Sequence, residues 1–170
     1  MTTSLTALLE AKRSHLARLS SSNGSQGESA ARSTSPNWIA RPKGQARRNL
    51  LTALKRTGIE IKATAFDFIS LPESQTISFD SEEDLFHRLP QMTFIEVKTA
   101  TQKRVKPGFS GFFFAFTENE ISASTQLGDR YKIALFNKHT KELLISSLPE
   151  VMGRAGSTTW QVSIQLRPAE

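Results

Sequence analysis

The sequence contains no cysteine, which excludes disulfides and thiolate zinc sites outright. Long apolar runs are missing as well: the longest, Phe112 to Phe116, is far too short to span a bilayer. Residues Met1 to Arg13 lack a basic segment followed by an apolar core, so no signal peptide is expected. His15, His87 and His139 show no metal-ligand spacing, and no nucleophile-elbow motif supports Ser-His-Asp chemistry. Aspartate is absent until Asp67. These absences lead to the expectation of a soluble, intracellular (cytoplasmic) protein with no membrane partner.

What is present suffices for one ordinary domain plus a tail. The chain has 170 residues, 38% of them hydrophobic and 11 of them Phe, enough apolar material for a real core. Its 22 Lys and Arg outnumber 16 Asp and Glu, for a net charge of +6. That balance suits a polyanionic partner, DNA first and RNA second, although many small domains carry a similar charge for solubility alone.

Leu5, Leu8, Leu9, Leu16 and Leu19 recur at helical spacing, so an N-terminal helix is expected over 1–19. Residues 20–37 are rich in Ser, Gly and Asn and read as a flexible linker. The compact α/β domain is expected over 38–170. Within it, residues 45–57 present Leu50, Leu51 and Leu54 on one helical face, and Gly58 follows as a stop. Residues 59–69 alternate as a strand or strand pair. A short helix with Ser81 as N-cap is expected near 81–88. Met92–Thr99 reads as a strand, Pro107-Gly108 as a turn, and Phe109–Phe116 as an aromatic strand filling both faces of a sheet. Thr117 and Glu120 form a capping box that opens a helix closed by Gly128. Strands are expected at 130–137, at 142–147 after a hairpin turn, and at 160–166.

The stretch Phe94-Ile-Glu-Val-Lys-Thr-Ala100 holds the candidate site. Strand alternation places Glu96 and Lys98 on one face and Ile95, Val97 and Thr99 on the other. Charges on an otherwise apolar strand are costly to bury without a task or a partner. Metal-assisted phosphodiester hydrolysis uses such a set: carboxylates hold Mg²⁺ or Mn²⁺, and a lysine positions the attacking water and offsets developing charge. The triplet alone is cheap, since Glu10/Lys12 and Glu60/Lys62 repeat it. Only the third copy follows an aspartate in an apolar run: Asp67, between Phe66 and Phe68. Asp80 and Asp84 are alternative partners in a more polar setting. The plainer reading is an exposed edge strand with cross-strand charge pairing.

From the helix at 46–57 through Asp67, the Phe-Ile-Glu-Val-Lys-Thr strand and Asn137, the layout resembles the PD-(D/E)xK nuclease superfamily, the restriction-endonuclease-like fold. More narrowly, Phe94-Ile-Glu-Val-Lys-Thr-Ala100, Thr117-Glu-Asn-Glu-Ile121 and Leu127-Gly-Asp-Arg-Tyr-Lys-Ile-Ala-Leu-Phe-Asn137 are similar to NO VEIN C-terminal-type domains. The resemblance implies a central mixed β-sheet flanked by helices. It also implies a site with Asp67, Glu96 and Lys98 as catalytic residues and Asp67, Glu96 and Val97 as metal-holding ones. Arg47, Arg48, Lys55 and Arg56, with Lys103, Arg104 and Lys106, are candidate phosphate contacts; ordinary solvated surface is the competing account. An Mg²⁺-dependent endonuclease is the first expectation. A degenerate, non-cleaving module that binds nucleic acid or protein is the second. A homodimer, or docking of the N-terminal helix on a partner protein, is compatible with either.

Overall fold

Leu50, Ala53 and Leu54 recur on one side of the segment Gly44–Arg56 (α1), and all three are buried. This single apolar stripe makes the segment a helix that packs by one face. Gly58 ends it in the left-handed region (φ +81°), a conformation that favours glycine. In the computed structural model the described residues are 37–72 and 75–158, with Ser29, 31–33 and Ser35 before them. The expected N-terminal helix and the strand at 160–166 lie outside the described residues.

Among the described residues, five strands form one mixed sheet: β1 (Trp38–Ala40), β2 (Phe68–Ser70), β3 (Thr93–Ala100), β4 (Tyr131–Asn137) and β5 (Leu143–Ser146). They lie in sequence order, with only β3 and β4 parallel. A parallel pair needs a crossover, and Glu118–Leu127 (α3) provides it. Glu82–Arg88 (α2) precedes β3, with the Ser81 hydroxyl accepting from Asp84 N at 3.1 Å. Leu148–Gly153 (α4) follows β5 behind a second capping box, Ser147/Glu150. The expected α/β architecture, a mixed sheet flanked by helices, is therefore present.

The sheet has two apolar faces. Phe94 of β3 and Tyr131, Ile133 and Leu135 of β4 share one core cluster with Leu50 and Leu54 of α1 and Ala123 and Leu127 of α3. Ile95, Val97, Ala134 and Phe136 point the other way, into a cluster with Trp38, Phe68 and Ala31. Each fully buried Phe or Ile contributes about 1.5–3 kcal/mol by leaving water, so β3 and β4 form the rigid centre.

Three expectations need correction. The strand expected over 59–69 shrinks to Phe68–Ser70, and Ala63–Ala65 is a 3-10 turn. Side chains take its backbone groups instead: Gln126 bonds Glu60 N and O at 2.7 and 2.8 Å, and Arg41 bonds the Ala63 and Phe66 carbonyls at 2.9 and 2.7 Å. The aromatic strand over 109–116 is not a strand. Gly108, Phe109 and Gly111 adopt positive φ (70°, 64° and 78°), which turns the chain away from the sheet. Phe112, Phe114 and Phe116 then pack on the core while Phe113 stays 71% exposed. Finally, within the stretch read as linker, residues 31–33 are helical and Ala31 is completely buried, because its methyl fits the second face of the sheet.

Candidate active site

Asp67 immediately precedes β2, and the antiparallel pairing of β2 with β3 brings it beside Val97. Its main chain is pinned on both sides, by Asp67 N to Ile95 O and by Arg41 N to Asp67 O, each 2.8 Å. Its Oδ2 accepts from Val97 N at 2.9 Å, and Arg41 Nη1 stands 4.0 Å from Oδ1. Glu96 directly precedes Val97 on β3, so the Asp67 charge acts on the Glu96 carboxyl. Lys98 Nζ donates to Glu96 Oε1 at 3.0 Å and to Glu120 Oε2 at 2.9 Å. Asp67, Glu96, Lys98 and Glu120 are thus brought to one place by β2, β3 and α3.

All of these side chains are largely removed from water: 12% of Asp67, 9% of Glu96, 13% of Lys98 and 6% of Glu120 remains exposed. Burial pushes the Glu96 carboxyl up to about 9, helped by the Asp67 and Glu120 charges and opposed by Lys98. Burial also raises Asp67, against the Val97 hydrogen bond and Arg41. Desolvation by itself would lower Lys98, but Glu96 and Glu120 outweigh it and hold the ammonium above its ordinary value. Tyr131, buried next to the same acids, is raised as well; its hydroxyl donates to the Ala65 carbonyl. The cluster holds more acidic than basic groups, and a bound cation would favour their ionised forms.

Asp67 and Glu96 are hard oxygen donors and so fit Mg²⁺ or Mn²⁺, which take one or two carboxylates and complete their shells with water and phosphate. Among the described residues, no group of three or more His, Asp or Glu is arranged to hold a metal ion. The third acid nearby, Glu120, is engaged by Lys98 and by the N–H of Thr117. Val97 gives its N–H to Asp67 and buries its side chain on the opposite face, leaving only a carbonyl to offer a metal.

The basic residues divide. Lys55 pairs with Glu60 at 3.1 Å; Arg56 pairs with Glu82 and lies 4.6 Å over the Phe86 ring. Arg48 bonds Gln45, and Arg47 is exposed. Lys103, Arg104 and Lys106 are exposed on the loop that leaves the Lys98 end of β3. That loop is anchored by buried Val105 and by Gly108, which donates to Glu142 at 2.8 Å and accepts from Arg154. Asp84, the alternative acid, instead accepts from Ser78 N at 2.6 Å and pairs with Arg88 at 3.6 Å.

From sequence, Glu120 reads most economically as a helix cap, with an approach of Glu118 or Glu120 to the site left open; the crossover brings Glu120 to Lys98. Arg41 carries no sequence signal and was not assigned to the site. No helix among the described residues is long and apolar enough to cross a membrane. Comparison of the chain with family models, curated proteins and solved structures returned no match.

Proposed function

We propose that this protein is a divalent-metal-dependent nuclease that hydrolyses phosphodiester bonds in DNA, with RNA as the second candidate substrate. The observation that carries the reading is the convergence of Asp67, Glu96 and Lys98 in one poorly hydrated cluster. The resemblance to PD-(D/E)xK nucleases assigns these same three positions, and an intracellular, cytoplasmic setting accords with a cysteine-free chain.

In this reading Asp67 and Glu96, with the Val97 carbonyl, would hold Mg²⁺ or Mn²⁺. The metal's chemistry is Lewis-acid polarisation of the phosphate and acidification of water. The chain's own groups do the rest. Val97 N–H and Arg41 fix the orientation of the Asp67 carboxylate. Lys98, kept as an ammonium, donates to the attacking water, orients it and balances charge accumulating on the phosphate oxygens. Glu96 would have to be in its carboxylate form to hold the cation. The exposed loop carrying Lys103, Arg104 and Lys106 supplies phosphate contacts, each of which adds about one unit to the salt slope of binding.

The test is divalent-dependent nicking of supercoiled DNA by purified protein, with Glu96→Ala and a chelator as controls. Cleavage that persists in Glu96→Ala removes the proposal. A second reading, a binding module that no longer cuts, is favoured by one observation: Lys98 is already held by two acids, and no three-acid metal group accompanies it. DNA binding without nicking under any divalent metal would select it.

A further inference from the structure

We infer that Glu120 is a positioning residue for Lys98, so that the capping box of α3 and the catalytic cluster are one hydrogen-bonded unit. The inference rests on the nuclease reading and adds to it a residue outside the Asp, Glu and Lys pattern. Glu120 Oε2 accepts from Lys98 Nζ at 2.9 Å and from Thr117 N at 3.0 Å, while Glu120 N donates to Thr117 Oγ1 at 3.3 Å. One carboxylate oxygen therefore completes the helix cap and binds the lysine.

A cap needs no such burial. In the second capping box among the described residues, Ser147/Glu150, the acid is exposed and bonds local groups, Ser147 N and Ser146 Oγ. Glu120 keeps 4% of its surface and faces across the crossover to β3. Lysine is a flexible four-carbon stem ending in a point charge, and it loses much rotamer freedom when held still. With Glu96 at 3.0 Å on one side, Glu120 on the other and the Phe116 ring 5.5 Å from Nζ, that freedom is removed before substrate arrives. Asp67 and Tyr131 also lie near Glu96, and Arg41 Nη1 stands 4.0 Å from Asp67 Oδ1. Preorganisation of this kind acts on turnover more than on affinity, because a misplaced group loses rate without losing the complex.

Capping chemistry makes the roles separable. Glutamine also serves at the third position of a capping box, so Glu120→Gln keeps the cap and removes the charge. Thr117→Ala removes the side-chain half of the cap and leaves the carboxylate.

The expected result is a kcat that falls by roughly ten- to a hundredfold in Glu120→Gln, with KM and melting temperature little changed. Thr117→Ala should lower the melting temperature and reduce kcat far less than Glu120→Gln does, because the carboxylate that holds Lys98 remains. In a Lys98→Met background, where residual turnover is measurable, Glu120→Gln should have no further effect on kcat. An equal loss with and without Lys98, or an unchanged kcat in Glu120→Gln, overturns the inference.

Should the wild type fail to cleave, the nuclease reading falls, and Lys98 is then examined directly by NMR of its side-chain ammonium. A slowly exchanging Lys98 signal, lost in Glu120→Gln and kept in Thr117→Ala, upholds the link between cap and lysine. A signal indifferent to Glu120→Gln refutes it.

Discussion

Glu60 and Lys62 follow α1 in irregular chain, where Glu60 keeps 66% of its side-chain surface and pairs at 3.1 Å with Lys55, itself 69% exposed. Glu96 and Lys98 have the same spacing, yet they keep 9% and 13% and sit among two further acids. Two unit charges 4 Å apart attract by about 1 kcal/mol in water and about 4 kcal/mol at the effective dielectric of a protein interior near its surface. The same two residue types are thus ordinary surface in one place and a strongly perturbed cluster in the other. Burial, rather than spacing, makes the second pair a candidate for chemistry.

The largest expected difference between the two pairs is in activity. Glu96→Ala should reduce divalent-dependent cleavage by about a thousandfold, whereas Glu60→Ala should leave it intact; a plasmid-nicking time course reads both. Equal activity in the two variants would erase the distinction.

Next comes stability. Lys98→Met keeps the apolar stem but leaves Glu96 and Glu120 facing each other without a cation, so unfolding in denaturant should show a loss of about 3 kcal/mol. Lys62→Met should stay within about 0.5 kcal/mol.

The pH dependence sharpens the comparison further. An ordinary value of 4.5 and a folded value of about 9 mean that Glu96 keeps its proton in the fold where the unfolded chain has released it. Folding therefore takes up a proton in that window, and the stability of metal-free protein should fall as pH rises from 4.5 to about 9. The slope from this group is at most about 1.4 kcal/mol per pH unit. Glu96→Gln should flatten it, and Mg²⁺ or Mn²⁺ should raise the melting temperature of the wild type near pH 8 but not that of the variant. A metal effect that survives Glu96→Gln would put the cation elsewhere. The smallest effect belongs to the exposed pair: Glu60→Gln should cost less than about 0.5 kcal/mol, and less still in high salt.

Much of this contrast was legible beforehand. Asp67 was the acid to choose because it lies between two phenylalanines, and β3 places Val97 N against its carboxyl group. The Ser81 cap, the Thr117/Glu120 box and the Gly58 stop are local devices, so a short window of sequence specifies them. The strands at 59–69 and 109–116 were misread for the opposite reason. Alternation of apolar residues reports which side chains turn inward, and Phe112, Phe114 and Phe116 do turn inward. It does not report whether a neighbouring strand is available to take the backbone hydrogen bonds.

By itself, then, the sequence determined where most helices begin and end, which faces are apolar, and that one acid-and-lysine strand is set apart by its surroundings. Those properties depend on residues within a few positions of one another. Only the tertiary structure decided that Glu120 reaches Lys98 from 22 residues away, that Arg41 stands beside Asp67, and that Lys55 and Arg56 are engaged by Glu60 and Glu82. Each of these contacts joins separate elements across the fold, and its strength depends on how much water the packed chain excludes, which no local pattern encodes.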